Sequence, residues 1–184
     1  MFLLTKSPPD RRKGSLRDAD NTPPVSAPLT PKRRAPAHAA AEIEIDAPLQ
    51  TVWDILTHVA GWPAWNPDVK YAQAEAPLRP GTLIKWRAGP GTIKSLVADV
   101  EPGSRLSWRG SMLGIKAIHV WTMSSAGAKT IVRSEESWEG LIPWIARRYA
   151  RRTLGNALSR GLAALKVEAE RSRPAHRLRE ADNE

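Results

Sequence analysis

Cysteine is absent from this chain of 184 residues, and histidine occurs four times. Without cysteine the protein has no disulfides, no thiolate metal ligands and no thiol nucleophile. The histidines lack the spacing of zinc ligands, since they stand at His38, His58, His119 and His176. We therefore expect neither a metal nor a cofactor. The missing cysteines also fit a reducing compartment, so we expect a cytoplasmic location.

A long apolar run is missing as well. A membrane-spanning helix needs about 20 apolar residues in succession, and no stretch of this chain approaches that length. The apolar start at Met1–Leu4 is followed by Lys6 and is too short for the apolar part of a signal peptide. The sequence therefore predicts a soluble protein.

The formal net charge of +9 is concentrated near the N-terminus. Residues 1–40 carry eight basic and three acidic side chains, whereas residues 41–168 carry sixteen and twelve. The first segment is rich in proline and has few apolar side chains to bury, which predicts a disordered basic tail. Such a tail is a candidate for contact with anionic membrane or nucleic acid. A solvated linker, or a start codon placed too far upstream, is the simpler explanation, and we expect no specific nucleic-acid binding.

Apolar periodicity places the folded domain at residues 41–170, followed by a frayed tail at 171–184. Alternation predicts a strand over Ala41–Asp46, and a helical stripe predicts a helix over Leu49–Val59. Two tryptophans and two prolines then occur within the six residues Trp62–Pro67. Because proline fixes φ, this segment is predicted to form a stiff apolar corner.

Further along the chain, turn-separated segments predict four to five more strands in an antiparallel meander. Leucines at helical spacing then predict a long helix from about Trp144 to Glu170. Its first part is out of phase with the leucines, which predicts either a bend near Gly155 or an exposed first two turns. At 1.5 Å per residue this helix spans about 39 Å, which is enough to cross a six- or seven-stranded sheet.

Along the predicted strands, charged side chains alternate with tryptophan, as in Lys85-Trp86-Arg87. Successive side chains of a strand point to opposite faces of the sheet. One face is therefore predicted to be solvated, and the other to carry the indoles of Trp86, Trp108, Trp121 and Trp138. These indoles either stack on a flat ligand or fill the core, and both interpretations stay open.

The hairpin of the last two predicted strands brings two ionisable residues together. A loop over Ser125–Ala128 pairs His119 with Ser134 and Ala117 with Glu136, so that His119 and Glu136 become diagonal neighbours on the inner face. There they are candidates for a general base and a general acid. Alternatively, they satisfy each other or orient a polar group of a ligand.

These segments, in this order, carry a family resemblance. The matching pieces are Ile45–Pro48 with Val52–Asp54, the corner Trp62–Pro67, Glu101–Gly103 leading to Leu106–Trp108, His119–Trp121, Glu136 before Gly140, and the leucine-striped final helix. Over residues 41–168 the chain resembles the START-like superfamily, also called SRPBCC. Within it, the chain is similar to bacterial polyketide cyclase/dehydrase-like proteins.

The resemblance implies an α+β helix-grip fold. In this fold a curved antiparallel sheet of six to seven strands wraps a long C-terminal helix, with short helices after the first strand. The space between sheet and helix is typically a cavity for lipids, sterols, polyketides or other apolar molecules. The superfamily includes carriers, aromatase/cyclases and receptors, so the fold does not fix the function.

We therefore expect a cavity that binds a lipid-, polyketide- or sterol-like molecule without catalysis. The alternatives are a cyclase/aromatase- or dehydrase-type enzyme using His119 and Glu136, and an interaction protein that acts through its basic tail. The predicted ligand-binding residues are Trp65, Trp86, Trp108, Ala117, His119, Trp121, Ser134, Glu136 and Trp138. An arginine cluster in the final helix either contacts an anionic membrane near the cavity mouth or forms a solvated helix face; it consists of Arg147, Arg148, Arg151 and Arg152.

Overall fold

Seven antiparallel strands form one curled sheet in the computed structural model, which describes residues 27–181 and their side chains as far as Ser172. The spatial order of the strands is β1-β7-β6-β5-β4-β3-β2. The strands are β1 (Ala37–Ile45), β2 (Val69–Gln73), β3 (Leu83–Ala88), β4 (Gly91–Glu101), β5 (Arg105–Met112), β6 (Ile115–Ala126) and β7 (Lys129–Glu139).

Four helices complete the fold: α1 (Leu49–Thr57), α2 (Trp62–Trp65), α3 (Leu141–Ile145) and α4 (Arg147–Ala181). A 3₁₀ turn at Val59–Gly61 links the first two. The long helix α4 lies in the curl of the sheet. The short helices α1 and α2 follow the first strand, as predicted, and the short helix α3 follows the last strand. The predicted α+β helix-grip fold is thus confirmed. Within the described residues, no helix has the length and apolar character required to cross a bilayer.

The predicted aromatic corner is a helical turn. Pro63 stands in the first turn of α2, where its fixed φ is compatible with a helix and its missing N–H costs no hydrogen bond. The indole Nε1 of Trp62 donates a 2.8 Å hydrogen bond to the carbonyl oxygen of Leu56. This bond ties the corner to the last turn of α1, and both side chains are buried in the main core.

The final helix is interrupted earlier than expected. Ala146 adopts φ −107° and ψ 43°, which separates α3 from α4, whereas one prediction placed a bend near Gly155. The alternative prediction, an exposed first two turns, agrees with the exposure of residues 147–149, 151 and 152. The leucine stripe of α4 is buried as its spacing predicted, at Leu154, Leu158, Leu162 and Leu165. The helix continues through Ala181, beyond the predicted end at Glu170.

The N-terminal strap, residues 27–36, crosses the outer face of the sheet. Leu29 is buried there against Ile118 and Val120. The backbone N–H of Leu29 donates to Asp99 Oδ2 at 2.9 Å, and that of Lys32 donates to Ser137 Oγ at 3.0 Å. Strand β1 then begins at Ala37, so the predicted boundary at residue 41 falls inside it. The first 26 residues of the predicted tail lie outside the described residues.

The register of the β6–β7 hairpin differs from the prediction. The two strands run up to Ala126 and Lys129, so the loop has two residues instead of four. His119 therefore faces Glu136, and Ser134 faces Trp121. The predicted pairing of His119 with Ser134 is wrong by two positions. A shift of two leaves every side chain on its predicted face, because side chains alternate with a period of two.

Candidate functional site

A cavity of about 350 Å³ lies between the inner face of the sheet and α4. Its deep end is lined by buried side chains, among them Leu56, Trp62 and Trp121. Its mouth lies where exposed residues reach the lining, at Gly89-Pro90 in the β3–β4 turn and at Ser111 near the end of β5. The cavity is therefore open to solvent at one end of the sheet.

Tryptophans form most of the apolar wall on the sheet side. Trp62 makes an edge contact with Trp86 at a centroid distance of 5.8 Å and a tilted contact with Trp108 at 5.9 Å. The Nε1 of Trp86 donates to Ser95 Oγ at 3.1 Å. These contacts fix the orientation of the rings, so the wall is rigid in shape before any ligand arrives.

Small side chains of α4 form the opposite wall. Thr153, Ala157 and Gly161 line the cavity and are spaced by four residues, which places them on one face of the helix. Their small volume leaves the space between helix and indoles unfilled. The leucine stripe of this helix was predicted, but the small stripe was not, although its i, i+4, i+8 spacing is present in the sequence.

His119 and Glu136 form a polar pair in the cavity wall. The Nδ1 of His119 lies 3.4 Å from Glu136 Oε2, and its Nε2 lies 2.7 Å from Ser134 Oγ. The other carboxyl oxygen of Glu136 accepts a 2.8 Å hydrogen bond from Trp138 Nε1. The imidazole also packs between Trp108 and Trp121, at centroid distances of 4.7 and 5.2 Å. Both side chains are thereby held in place by partners on either side.

Burial favours the neutral form of each partner. It lowers the pKa of His119 to about 3 and raises the pKa of Glu136 to about 7, although the hydrogen bond from Trp138 opposes the latter shift. Near neutral pH, His119 is thus a neutral imidazole. The carboxyl group of Glu136 is then able to donate as well as accept a proton.

Two indole N–H groups of the cavity wall have no acceptor. Within the described part of the chain, the buried Nε1 atoms of Trp65 and Trp121 make no hydrogen bond. An unpaired buried donor costs about 1–3 kcal/mol. A ligand oxygen that accepts from either group would remove that cost.

An ion pair at the cavity rim links α4 to the segment that follows α2. Arg160 Nε and one of its terminal nitrogens each lie 2.9 Å from Asp68 Oδ2, and both residues contribute to the lining. Both side chains remain substantially exposed to solvent. This pair could not be predicted from the sequence, because its members are 92 positions apart and no local pattern connects them.

The structure brings eight of the nine predicted ligand-binding residues to the cavity wall. Ser134 is the exception: it is fully buried and lies off the wall, bonded to His119. The four arginines of the predicted cluster are all exposed and do not line the cavity. Among the residues that the structure describes, no three His, Asp or Glu side chains are grouped as a metal site would require.

Comparisons with known proteins identify relatives of this domain. Residues 36–170 match the family model described as "Polyketide cyclase / dehydrase and lipid transport". No protein of curated function matches the chain in sequence.

Solved structures share the fold at low sequence identity. A hypothetical protein, jhp0584 of Helicobacter pylori, has a TM-score of 0.67 and 13% identity, over 79% of this chain and 99% of its own. A START superfamily protein from Mycobacterium smegmatis has a TM-score of 0.61 and 16% identity, over 73% and 97%. The di-domain aromatase/cyclase StfQ, from the steffimycin biosynthetic pathway, has a TM-score of 0.62 and 16% identity, over 73% of this chain and 51% of its own.

Proposed function

Since the chain belongs to the polyketide cyclase/dehydrase and lipid transport family, we propose that it binds an apolar small molecule in the cavity between sheet and α4. The ligand is lipid-, polyketide- or sterol-like, and the protein acts as a binder or carrier and not as an enzyme.

The observation that carries this proposal is the unfilled space opposite the tryptophans. Interiors of proteins are normally packed with few voids larger than a water molecule. Here about 350 Å³ remains open between indoles on one side and the small stripe Thr153, Ala157 and Gly161 on the other. That volume falls in the range of small-molecule pockets, about 300–1,000 Å³.

The polar atoms of the wall narrow the chemistry of the ligand. Trp65 and Trp121 each offer an indole N–H without an acceptor, and Glu136 adds a carboxyl group that is protonated through most of the acidic range. A ligand oxygen that reaches any of these three groups would accept a hydrogen bond from it. The ligand is therefore an apolar molecule that carries acceptor oxygens, such as a ketone, quinone or ester, and a pure hydrocarbon fits less well.

Co-purification tests this function directly. Full-length protein, freshly purified without detergent, is examined by native mass spectrometry and then extracted with organic solvent. We expect an added mass that disappears on extraction and corresponds to an oxygen-containing apolar compound. Protein stripped in this way should bind a polycyclic aromatic ketone with quenching of tryptophan fluorescence. Failure of both the added mass and the quenching would contradict the proposal.

A second candidate function, a cyclase/aromatase- or dehydrase-type enzyme, is favoured by the polar pair. In this candidate a neutral His119 takes a proton from a carbon next to a carbonyl group, and a protonated Glu136 gives its proton to a departing hydroxyl group. The lowered pKa of His119 makes it a weak base, which counts against the candidate. The hydroxyl group then leaves as water, a carbon–carbon double bond forms, and no oxidant is required. The hydroxyl that His119 contacts is that of Ser134, which lies off the cavity wall, so a serine nucleophile does not form part of this candidate.

Separate replacement of the two residues distinguishes the enzyme from the carrier. For an enzyme, His119→Ala and Glu136→Ala should each abolish turnover of the extracted compound or its precursor, while ketone binding persists. For a carrier, the wild-type protein should return the extracted compound unchanged after prolonged incubation.

The basic-tail alternative and the cytoplasmic location stay predictions. Any deletion that tests the tail should stop before Ala27, because the strap packs on the sheet and β1 begins at Ala37. Loss of a salt-sensitive association with nucleic acid after such a deletion would support the tail as an interaction segment.

A further inference from the structure

An exposed apolar patch surrounds α3, outside the cavity. We define the docking patch as six large apolar side chains, each more than half exposed: Leu113, Leu141, Ile142, Trp144, Ile145 and Tyr149. Contiguous exposed apolar surface of this kind is uncommon on a monomeric soluble protein and marks an interaction site.

The backbone brings the two parts of the docking patch together. The residue before α3, Gly140, lies so close to the β5–β6 turn that a Cβ placed on it would be 2.5 Å from the Gly114 carbonyl oxygen. The same turn carries Leu113 at its tip, with φ 48°, a conformation that favours glycine or asparagine. A leucine is thus held in an unfavourable conformation with its side chain in solvent.

Positive charge flanks the docking patch. The arginine cluster lies in the first two turns of α4, and between Glu139 and Glu168 the chain contains no acidic residue. Arg147 stacks over the ring of Trp144, with its guanidinium carbon 5.7 Å from the centroid. Arg151 donates a hydrogen bond to the carbonyl oxygen of Pro36, which fixes one member of the cluster against the end of the strap.

We propose that the docking patch and the arginine cluster bind the protein to the surface of an anionic lipid bilayer. Tryptophan and tyrosine beside aliphatic side chains suit the boundary between headgroups and acyl chains, and arginines at the edge pair with lipid phosphates. Neutral protein partners lack the negative charge that the cluster requires. A second copy of this chain, joined through the same patch, would bring two arginine clusters together and be repelled.

The docking patch is continuous with the cavity mouth. Met112 and Ile115 on either side of the β5–β6 turn line the cavity. Met112 also lies close to the start of β4, since a Cβ placed on Gly91 would be 3.1 Å from its sulfur atom. A bilayer seated on the docking patch would therefore adjoin the opening. A ligand that is sparingly soluble in water could pass between the bilayer and the cavity without crossing bulk solvent.

Vesicle flotation of the full-length protein tests the proposal. The vesicles are phosphatidylcholine alone or phosphatidylcholine mixed with phosphatidylglycerol, at low and high salt. We expect flotation with the anionic vesicles, weakened by salt, and little with the neutral ones. The variant Ile142→Glu/Ile145→Glu should lower the affinity by about tenfold or more. The control Val167→Glu, which places one charge on an exposed apolar residue of α4 far from α3, should not.

The contribution of the arginines to vesicle binding is tested by comparing two double variants that change the net charge by the same amount. Arg147→Glu/Arg148→Glu should weaken binding by about tenfold or more, whereas Lys94→Glu/Lys116→Glu, on the outer face of the sheet, should change it much less. Near-ultraviolet circular dichroism checks that each variant is folded, and Trp144→Ser replaces any that is not.

Equal flotation of all variants would overturn the proposal. So would concentration-dependent dimerisation that the α3 variants abolish, without any vesicle binding. Because flotation needs no cavity ligand and the ketone assay needs no vesicles, the two proposals fail independently.

Discussion

His119 and Glu136 face each other across β6 and β7, with 3.4 Å between Nδ1 and Oε2. Over a range of two pH units, the pair binds the same number of protons in the folded protein as in the unfolded chain. In the unfolded chain, between the ordinary pKa values of 4.5 and 6.5, histidine carries a proton and glutamate does not. In the folded protein over the same range, Glu136 carries the proton and His119 does not. The number of bound protons is therefore equal in both states, and the pair adds no pH dependence to stability there.

Replacement of one residue at a time should reveal two opposite dependences of the free energy of unfolding on pH. In Glu136→Gln only His119 remains, with a pKa lowered on folding. Its contribution to stability is present above pH 6.5 and lost as the pH falls towards about 3. In His119→Gln only Glu136 remains, with a pKa raised on folding. Its contribution is present below pH 4.5 and lost as the pH rises towards about 7. Each slope approaches about 1.4 kcal/mol per pH unit.

Urea unfolding followed by tryptophan fluorescence, between pH 4.5 and 6.5, measures these slopes. Relative to wild type, the free energy of unfolding should rise with pH in Glu136→Gln and fall with pH in His119→Gln. The control is Glu139→Gln on the same strand, because Glu139 belongs to an ion pair with Lys32 that is accessible to solvent. This variant should have the same pH profile of stability as wild type. Slopes of the same sign in the two variants would contradict the opposed pKa shifts.

The same hairpin illustrates what the sequence can and cannot predict. Alternation fixes the face of each side chain, so the inner position of His119, Glu136 and the tryptophans follows from the pattern alone. A shift by two residues preserves every face, and the choice between a four- and a two-residue loop therefore leaves no trace in that pattern. The remaining signal was Gly127, which has φ 66° and stands where a two-residue turn accepts glycine.

Filling the cavity from the helix side should weaken ligand binding without unfolding the protein. Ala157→Leu adds three carbon atoms to the small stripe of α4 and places them opposite the indoles. We expect the affinity for the polycyclic ketone to fall by about tenfold or more, equal to about 1.4 kcal/mol. The melting temperature should stay constant or rise, since apolar space is filled. Ala163→Leu, an exposed position on the same helix, is the control for helix propensity and should retain binding.

A melting temperature that fell sharply in Ala157→Leu would mean that the site is already packed and that no ligand space exists. The family resemblance led us to expect that space, but the pattern of residues alone could not establish it. The four inner tryptophans fit a filled core as well as a wall, and only the distance between sheet and helix decides between the two. That distance depends on contacts across the whole domain, such as those of Leu162 and Leu165 with the main core.

The unpaired indole of Trp121 should contribute to the selection of oxygen-containing ligands. Trp121→Phe removes the Nε1 donor and keeps an aromatic ring. Affinity for a polycyclic ketone should then fall by about 0.5–1.5 kcal/mol more than affinity for the hydrocarbon of the same shape. Trp86→Phe is the matched control, because its Nε1 already donates to Ser95 and is not available to a ligand. Fluorescence titration with both probes measures the difference, and an equal loss for both would exclude a role for the N–H group.

The strap on the outer face should contribute measurably to stability. Leu29 is buried between Ile118 and Val120, and its backbone N–H and carbonyl group bond to Asp99 and Arg105. Leu29→Ala should lower the free energy of unfolding by about 2 kcal/mol. Leu96→Ala, on a half-exposed leucine of the same sheet, should change it by about 0.5 kcal/mol or less.

The acid sensitivity of the strap follows from Asp99. Burial raises the pKa of this carboxyl group, but hydrogen bonds from Ser107 and Leu29 and the charge of Arg105 outweigh that effect and hold the pKa below its ordinary value of 3.8. The stabilisation is therefore present above pH 3.8 and lost as the pH falls below it. Proteolysis at the Lys32-Arg33-Arg34 segment reports release of the strap. Cleavage there should accelerate in Asp99→Asn at neutral pH, where the wild-type protein is protected. Equal cleavage rates in the two proteins would show that the ion pair does not hold the strap in place.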